Sequence, residues 1–222
     1  MEGDAAHHLG RVLRAQPGQL YELSDGQQVR LGRIEKVGRD RVEFALLEKL
    51  PAYQPAVDIT LLLSIVKFDA FEWALEKATE LGVSTIVPVA AARSERALLA
   101  AAKKRSARWS KILLEASQQS RRLRVPALDL LTPPEQAFRA HKDGLRVMLS
   151  ERGDAPSMRK VLEGAHSAKA VLAIGPEGGW TDSEFEAART AGFQEASLGR
   201  LILRTETAVM AALASINYAL EG

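Results

Sequence analysis

After residue 56 the chain alternates between short apolar runs and segments of helical period, and that alternation limits the fold more than any other feature. Residues 57–66 are a strongly apolar strand. Phe71, Ala74, Leu75 and Ala78 then recur at helical spacing, with Asp69 and Glu72 placed as a capping box and Gly82 as the stop. Residues 85–89 give a second strand, and residues 103–119 a long helix with Trp109, Ile112, Leu113 and Ala116 as its apolar stripe. Residues 145–149, 170–174 and 195–198 are further strands. Between them lie a short helix at 156–162 and a helix that opens with Thr181-Asp182-Ser183-Glu184 and ends at Gly192. Residues 205–220 form a last helix. This pattern implies an α/β fold with a mostly parallel sheet covered on both faces.

The first fifty residues have a different rhythm. Residues 19–24, 28–37 and 41–47 read as strands, punctuated by Asp25-Gly26 and Gly38-Arg39-Asp40. Ahead of them, residues 8–14 suit one helical turn with Leu9, Val12 and Leu13 on one side. A small β-barrel fits. Residues 50–55, with Pro51 and Pro55, read as a linker. Two domains are therefore expected, over 1–52 and 56–222.

Composition narrows the function classes. The 222 residues contain no cysteine, which excludes disulfides, thiolate metal sites and a cysteine nucleophile. The four histidines show no metal-ligand spacing, so no metal is expected. No apolar run is long enough for a membrane span and the first residues lack the pattern of a secretory leader, so a cytoplasmic protein is expected. Net charge is only +2, yet Arg93 to Arg124 holds ten Lys or Arg against Glu95 and Glu115. Such a stretch suits phosphate contacts, or a solvated helix face.

Two late segments suggest a ligand pocket. Ile174-Gly175-Pro176-Glu177-Gly178-Gly179 follows one strand, and Leu198-Gly199-Arg200-Leu201-Ile202-Leu203-Arg204-Thr205-Glu206-Thr207 follows the next. Ligands of parallel sheets bind beyond the carboxyl ends of the strands. Glycines there let backbone approach a ligand closely, and the helix after Trp180 would offer free N–H groups to an anion. The run is neither a P-loop nor a dinucleotide fingerprint, which disfavours a nucleotide-dependent enzyme; a tight strand-to-helix turn is the plain alternative.

Together these two segments resemble the ribosomal RNA small subunit methyltransferase E family, SPOUT-class enzymes that methylate N3 of a uridine in 16S rRNA with S-adenosylmethionine. The resemblance extends through His7-His8-Leu9, Val12-Leu13-Arg14, Lys77-Ala78-Thr79-Glu80-Leu81-Gly82-Val83, Arg93-Ser94, Glu115-Ala116-Ser117-Gln118-Gln119 and Val125-Pro126. It implies a PUA-like N-terminal β-barrel, a C-terminal domain with a trefoil knot, and a homodimer acting on 16S rRNA of the small ribosomal subunit. Two departures stand out. The family's aromatic-bearing first strand is missing before His7, so either an incomplete barrel or a misassigned start site is expected. Leu201 stands where relatives carry arginine, with Arg200 one position earlier.

The resemblance places the cofactor across Leu149-Ser150-Glu151, across Ile174, Gly175, Pro176, Glu177, Gly178 and Gly179, and across Ser197, Leu198, Gly199, Ile202, Leu203 and Thr205. Uridine N3 must lose its proton before attacking the sulfonium methyl. Arg204 is the candidate to stabilise the resulting anion, since a guanidinium stays charged and presents planar donors. Glu206 is the candidate proton acceptor, with hydroxide from solvent as the alternative. An Arg204–Glu206 ion pair at a dimer interface is the structural reading of the same two residues. Arg11, Arg14, Arg93, Arg121, Arg122 and Arg124 are the expected RNA contacts. A silent RNA-binding or ribosome-assembly module is the competing function; it needs no intact Leu203-Arg204-Thr205-Glu206-Thr207 run.

Overall fold

The computed structural model describes residues 1–52 and 55–220; Tyr53 and Gln54 of the expected linker lie outside the described residues. The chain forms two compact units, Met1–Gln54 with Arg122–Arg124, and Pro55–Arg121 with Val125–Gly222.

In the first unit, α1 (Asp4–His7) runs into a wider helical turn over His8–Val12, where the Leu13 N–H reaches the His8 carbonyl at 3.0 Å. The helical segment thus starts four residues ahead of the expected His8. The reason lies upstream, where the Gly3 carbonyl accepts the His7 N–H at 3.0 Å and opens the first turn. Strands β1 (Leu20–Ser24), β2 (Val29–Val37) and β3 (Val42–Leu50) form an antiparallel sheet in that order. β3 reaches Leu50, past the expected end at 47, because two pairing irregularities let it follow β2 to the Val29–Leu50 pair. Residues 1–3 pair with the start of β3, the Val42 N–H donating to the Met1 carbonyl at 2.9 Å. Ala6, Leu9, Ala15, Ile34 and Val42 form the core, with Tyr21 and Phe44 edge to face beside it. Arg122–Arg124 join this unit: Ser24 Oγ donates to the Leu123 carbonyl at 3.0 Å and Arg124 Nε to the Gly26 carbonyl at 2.8 Å.

The second unit is built on a six-stranded parallel sheet in the order β6-β5-β4-β8-β7-β9. The strands are β4 (Asp58–Ser64), β5 (Thr85–Val89), β6 (Ala127–Leu128), β7 (Leu145–Leu149), β8 (Lys169–Ile174) and β9 (Gln194–Ala196). Side chains of the central strands alternate between two cores. Ile59, Leu61, Leu63, Ala170, Leu172 and Ile174 enter one, and Leu62, Val171 and Ala173 the other. The first core is closed by α2 (Phe68–Glu80), α4 (Ser106–Gln119), α6 (Met158–Leu162) and α8 (Thr205–Leu220). The second is closed by α5 (Pro134–Ala140) and α7 (Asp182–Thr190), where Phe138 meets Trp180 and Phe193.

Several elements differ from expectation. The expected helix over 103–119 begins three residues later, as α4, after a turn at Lys103–Arg105, and a separate, unexpected helix, α3 (Arg96–Ala102), precedes that turn. The break turns Ala102 inward and lets Trp109 of α4 pack on Phe71 of α2 at 4.6 Å between ring centroids. α2 begins at Phe68 after Lys67 and lacks the expected Asp69–Glu72 capping box. Glu72 is instead buried and taken by two guanidiniums, Arg108 Nε at 2.8 Å and Arg105 Nη1 at 3.0 Å. Charge-assisted bonds of this kind outweigh a cap. They also consume two of the cations counted in the basic stretch. β9 ends at Ala196, because the Ser197 N–H and C=O bond to Pro156 and Met158 instead of β7, which places Leu198 in the following loop.

The Glu72 carboxyl is held below its ordinary pKa, first by the Arg108 hydrogen bond, against an opposing effect of burial, and further by Arg105. A lowered folded-state pKa adds stability above the unfolded carboxylate pKa, which is lost as pH falls through the folded value. Glu72→Gln is expected to cost about 2 kcal/mol at pH 7, discounted for the exposure of both arginines. Urea melts of the two proteins should converge as the pH is lowered below the carboxylate range.

Candidate active site

β4 and β8 are neighbours, yet the helices that follow them cover opposite faces of the sheet, α2 the first core and α7 the second. Their chain ends part at the carboxyl edge and leave a crevice. A cavity of about 1150 Å³ fills it, lined by the loops after β4, β7, β8 and β9 and by Arg93 after β5. All seventeen residues expected to bind cofactor or to act in catalysis line this one cavity: Leu149 to Glu151, Ile174 to Gly179, Ser197 to Gly199, and Ile202 to Glu206.

Local chemistry shapes each loop. After β8, the Gly179 N–H closes a turn on the Pro176 carbonyl at 2.8 Å, with Gly179 at φ +68°, where a side chain would be strained. A Cβ at Gly175 would lie 3.0 Å from Trp180 Nε1, so only a bare backbone passes over that indole. Arg93 Nη1 donates to the carbonyls of Gly178 at 2.8 Å and Trp180 at 3.2 Å. Arg93, expected as an RNA contact, is exposed and also braces the glycine loop. The capping box of α7 forms as read, Thr181 N–H to Glu184 Oε2 at 2.7 Å and Glu184 N–H to Thr181 Oγ1 at 3.3 Å. The second Glu184 oxygen accepts the Ala92 N–H at 2.8 Å, which ties the start of α7 to the segment after β5.

After β9, Ser197 Oγ bridges the Gly199 N–H and C=O and sets a tight turn with Gly199 at φ +134°. Ser150 N–H reaches the Ala196 carbonyl at 2.9 Å, which ties the β7 loop to this turn. Arg204 immediately precedes α8, its carbonyl accepting the Ala208 N–H at 2.9 Å. Among the described residues Arg204 makes no ion pair with Glu206. A cation at the positive end of a helix is electrostatically unfavourable unless an anion joins it. Lys67 repeats the arrangement at the start of α2, which packs against α8, and it lines the same cavity.

Sequence reasoning missed the α2 side of the cavity (Lys67, Asp69, Ala70, Trp73) and the wall formed by Arg152, Asp182 and Phe185. Arg152 pairs with Asp182 and lies 3.8 Å over the Phe185 ring. No local signal marks these residues, because the adjacency of β4 and β8 is a matter of strand order. Of the other expected RNA contacts, Arg11, Arg14, Arg121 and Arg124 are exposed and Arg122 is half-buried, burial pushing its guanidinium pKa down. Arg14 and Arg121 adopt positive φ.

Five acidic residues (Asp69, Glu151, Glu177, Asp182, Glu206) balance five basic ones (Lys67, Arg93, Arg152, Arg200, Arg204) around the cavity. That balance is wrong for a polyphosphate and suits a zwitterionic cofactor bearing a sulfonium. The bare glycine backbone and the apolar Leu198 and Leu203 fit S-adenosylmethionine. Among the described residues no helix is long and apolar enough to cross a membrane, and no cluster of three or more His, Asp or Glu is placed to hold a metal ion.

Known proteins agree with this geometry. Residues 53–217 match the RNA methyltransferase domain family, and residues 2–47 the RNA methyltransferase PUA domain. The ribosomal RNA small subunit methyltransferase E of Synechocystis is 34% identical over 97% of this chain and 71% of its own length. That of Bacillus subtilis is 31% identical over 99% and 89%. The crystal structure of the Neisseria gonorrhoeae enzyme of that name, bound to S-adenosyl methionine, superposes with a TM-score of 0.90 at 32% identity, covering 99% of this chain and 91% of that one. The cavity, the two matched domains and these relatives agree: the chain belongs to the ribosomal RNA small subunit methyltransferase E family.

Proposed function

We propose that this protein methylates N3 of a uridine in 16S ribosomal RNA, with S-adenosylmethionine as donor, residues 56–222 as the methyltransferase domain and residues 1–52 as an RNA-reading domain. One observation carries the reading: the loops after β7, β8 and β9 converge on a cavity that also holds Arg204 and Glu206. When bound, S-adenosylmethionine supplies an electrophilic methyl on a sulfonium. The chain's own groups do the rest. Arg204, ahead of α8, offers donors and charge to a uracil anion spread over N3 and its flanking oxygens. Glu206, in the first turn of α8, accepts the N3 proton. The glycine loop and Leu198 exclude water, which favours a step in which opposite charges annihilate.

Within the first unit Arg11, Arg14, Arg122 and Arg124, and within the second Arg93 and Arg121, are the RNA contacts of this reading. A homodimer belongs to the same reading. α8 buries Val209, Ala212, Leu213 and Ile216, yet its outer face bears exposed Ala214 and Tyr218, and Leu201 and Ile202 just before it are 82% and 80% exposed. An apolar surface of this kind marks an interface, and light scattering should return the mass of two chains. The trefoil threading implied by the resemblance is part of this proposal.

The test is nucleoside mass spectrometry of 16S rRNA from cells lacking the gene and from complemented cells. N3-methyluridine should vanish and return. An unchanged level would overturn the proposal.

A further inference from the structure

The cavity is larger than one cofactor needs. Pockets for a single drug-sized ligand span roughly 300–1,000 Å³, whereas about 1150 Å³ is available here. The cofactor loops after β7, β8 and β9 bound one side of it. The opposite side is α2, an element to which the proposed function assigns nothing. Its first turns contribute Lys67, Asp69, Ala70 and Trp73 to the lining.

Trp73 is unusual in its surroundings. Phe71, Ala74, Leu75 and Ala78 of the same helix are fully buried, whereas Trp73 is 41% exposed. Phe68 and Phe71 both pack on Trp109, but Trp73 makes no aromatic contact among the described residues. A part-exposed indole lining a cavity, with no aromatic or cation partner among the described residues, is available to stack on a ligand. α2 and α8 pack side by side and both leave the carboxyl edge of the sheet, so this face belongs to the same chamber as Arg204 and Glu206.

We infer that Trp73 is the stacking platform for the target base, a second subsite distinct from the cofactor site, with Lys67 beside it for the phosphate of the flipped nucleotide. The inference rests on the proposed RNA methyl transfer. Chemistry on a base inside folded RNA requires the base to leave its stack, and the lost stacking is replaced by an aromatic side chain. Uracil has a π-face but no charge before deprotonation. Its orientation then comes from Trp73 below the ring and Arg204 at its edge. Lys67, a cation at the start of α2, is electrostatically poised for a phosphate in the same way that Arg204 is poised for the base anion.

The experiment measures tritium transfer from S-adenosylmethionine to 16S rRNA for wild type, Trp73→Ala and Trp73→Phe, with cofactor affinity by calorimetry and mass by light scattering. Trp73→Ala is expected to lower kcat/KM for RNA about 10- to 100-fold, the range that removing one stacking side chain gives. Cofactor Kd should stay within about threefold and the mass should not change, because the side chain lies outside the cofactor loops. Trp73→Phe should recover most of the loss. Unchanged RNA kinetics would overturn the inference. So would an equal loss of cofactor affinity, which would make Trp73 part of the cofactor site, or a fall in mass, which would make it an interface residue. Tritium transfer reports any methylated base, so an error in the N3 assignment shows in the nucleoside product and not in this comparison.

Discussion

Arg204→Ala is expected to lower the rate constant for methyl transfer about 10³-fold, the upper range for losing one donor to a developing oxyanion. S-adenosylmethionine should still bind within about tenfold, since the glycine loop and the Ser197–Gly199 turn are held by hydrogen bonds that do not involve the Arg204 guanidinium. The expectation comes from placement. Arg204 lines the cavity, precedes α8, and makes no ion pair with Glu206 among the described residues, so its charge is open to an incoming anion. Single-turnover kinetics with saturating cofactor separates the chemical step from binding. Full activity in the variant would remove the role assigned to this side chain, and a collapse in cofactor affinity would move Arg204 into the cofactor site.

The largest expected effect on stability lies away from the cavity. Gly144 sits at φ +76° just before β7, and a Cβ there would lie 2.1 Å from the Lys169 carbonyl oxygen at the start of β8. Neither atom can yield without moving a strand. Gly144→Ala is expected to destabilise by about 3 kcal/mol or more, seen as a fall in Tm of roughly 6–12 °C. Gly164 provides the control. Its φ is +69°, but nothing lies within 4 Å of a Cβ there. Gly164→Ala should cost only the backbone strain, about 1 kcal/mol. Equal effects in thermal melts of the two variants would contradict the close approach of β7 to β8. The functional consequence is direct, because β7 ends at Leu149 and any shift in its register moves Ser150 and Glu151 at the cavity.

Much of this architecture is legible in the sequence because local rules dominate it. The bounds of α8 and β5 follow from period and length. The α7 capping box follows from Thr181 and Glu184, and the convergence of the two late loops follows from their place after adjacent strand–helix units. What could not be read depends on distant partners. β6 is only two residues long and carries no period. α5 opens at Pro133-Pro134, a pair that reads as a breaker, although Pro134 at the first helical position suits a helix start. Glu72 looked like a cap because its ligands, Arg105 and Arg108, lie more than thirty residues away. Trp73 carries no mark in the sequence, because the strand order that opens the cavity beside α2 is not encoded locally.

The sheet of the second unit terminates on β6, with two residues, and β9, with three. Beyond β9, Ser197 is already engaged by Pro156 and Met158. Each margin therefore offers a foreign strand only a few peptide groups, too short a template for cross-chain β-extension. The dimer proposed above would therefore use the helical flanks of that unit, and crowding during synthesis carries less risk of runaway fibril growth than a parallel sheet with long bare borders would bring.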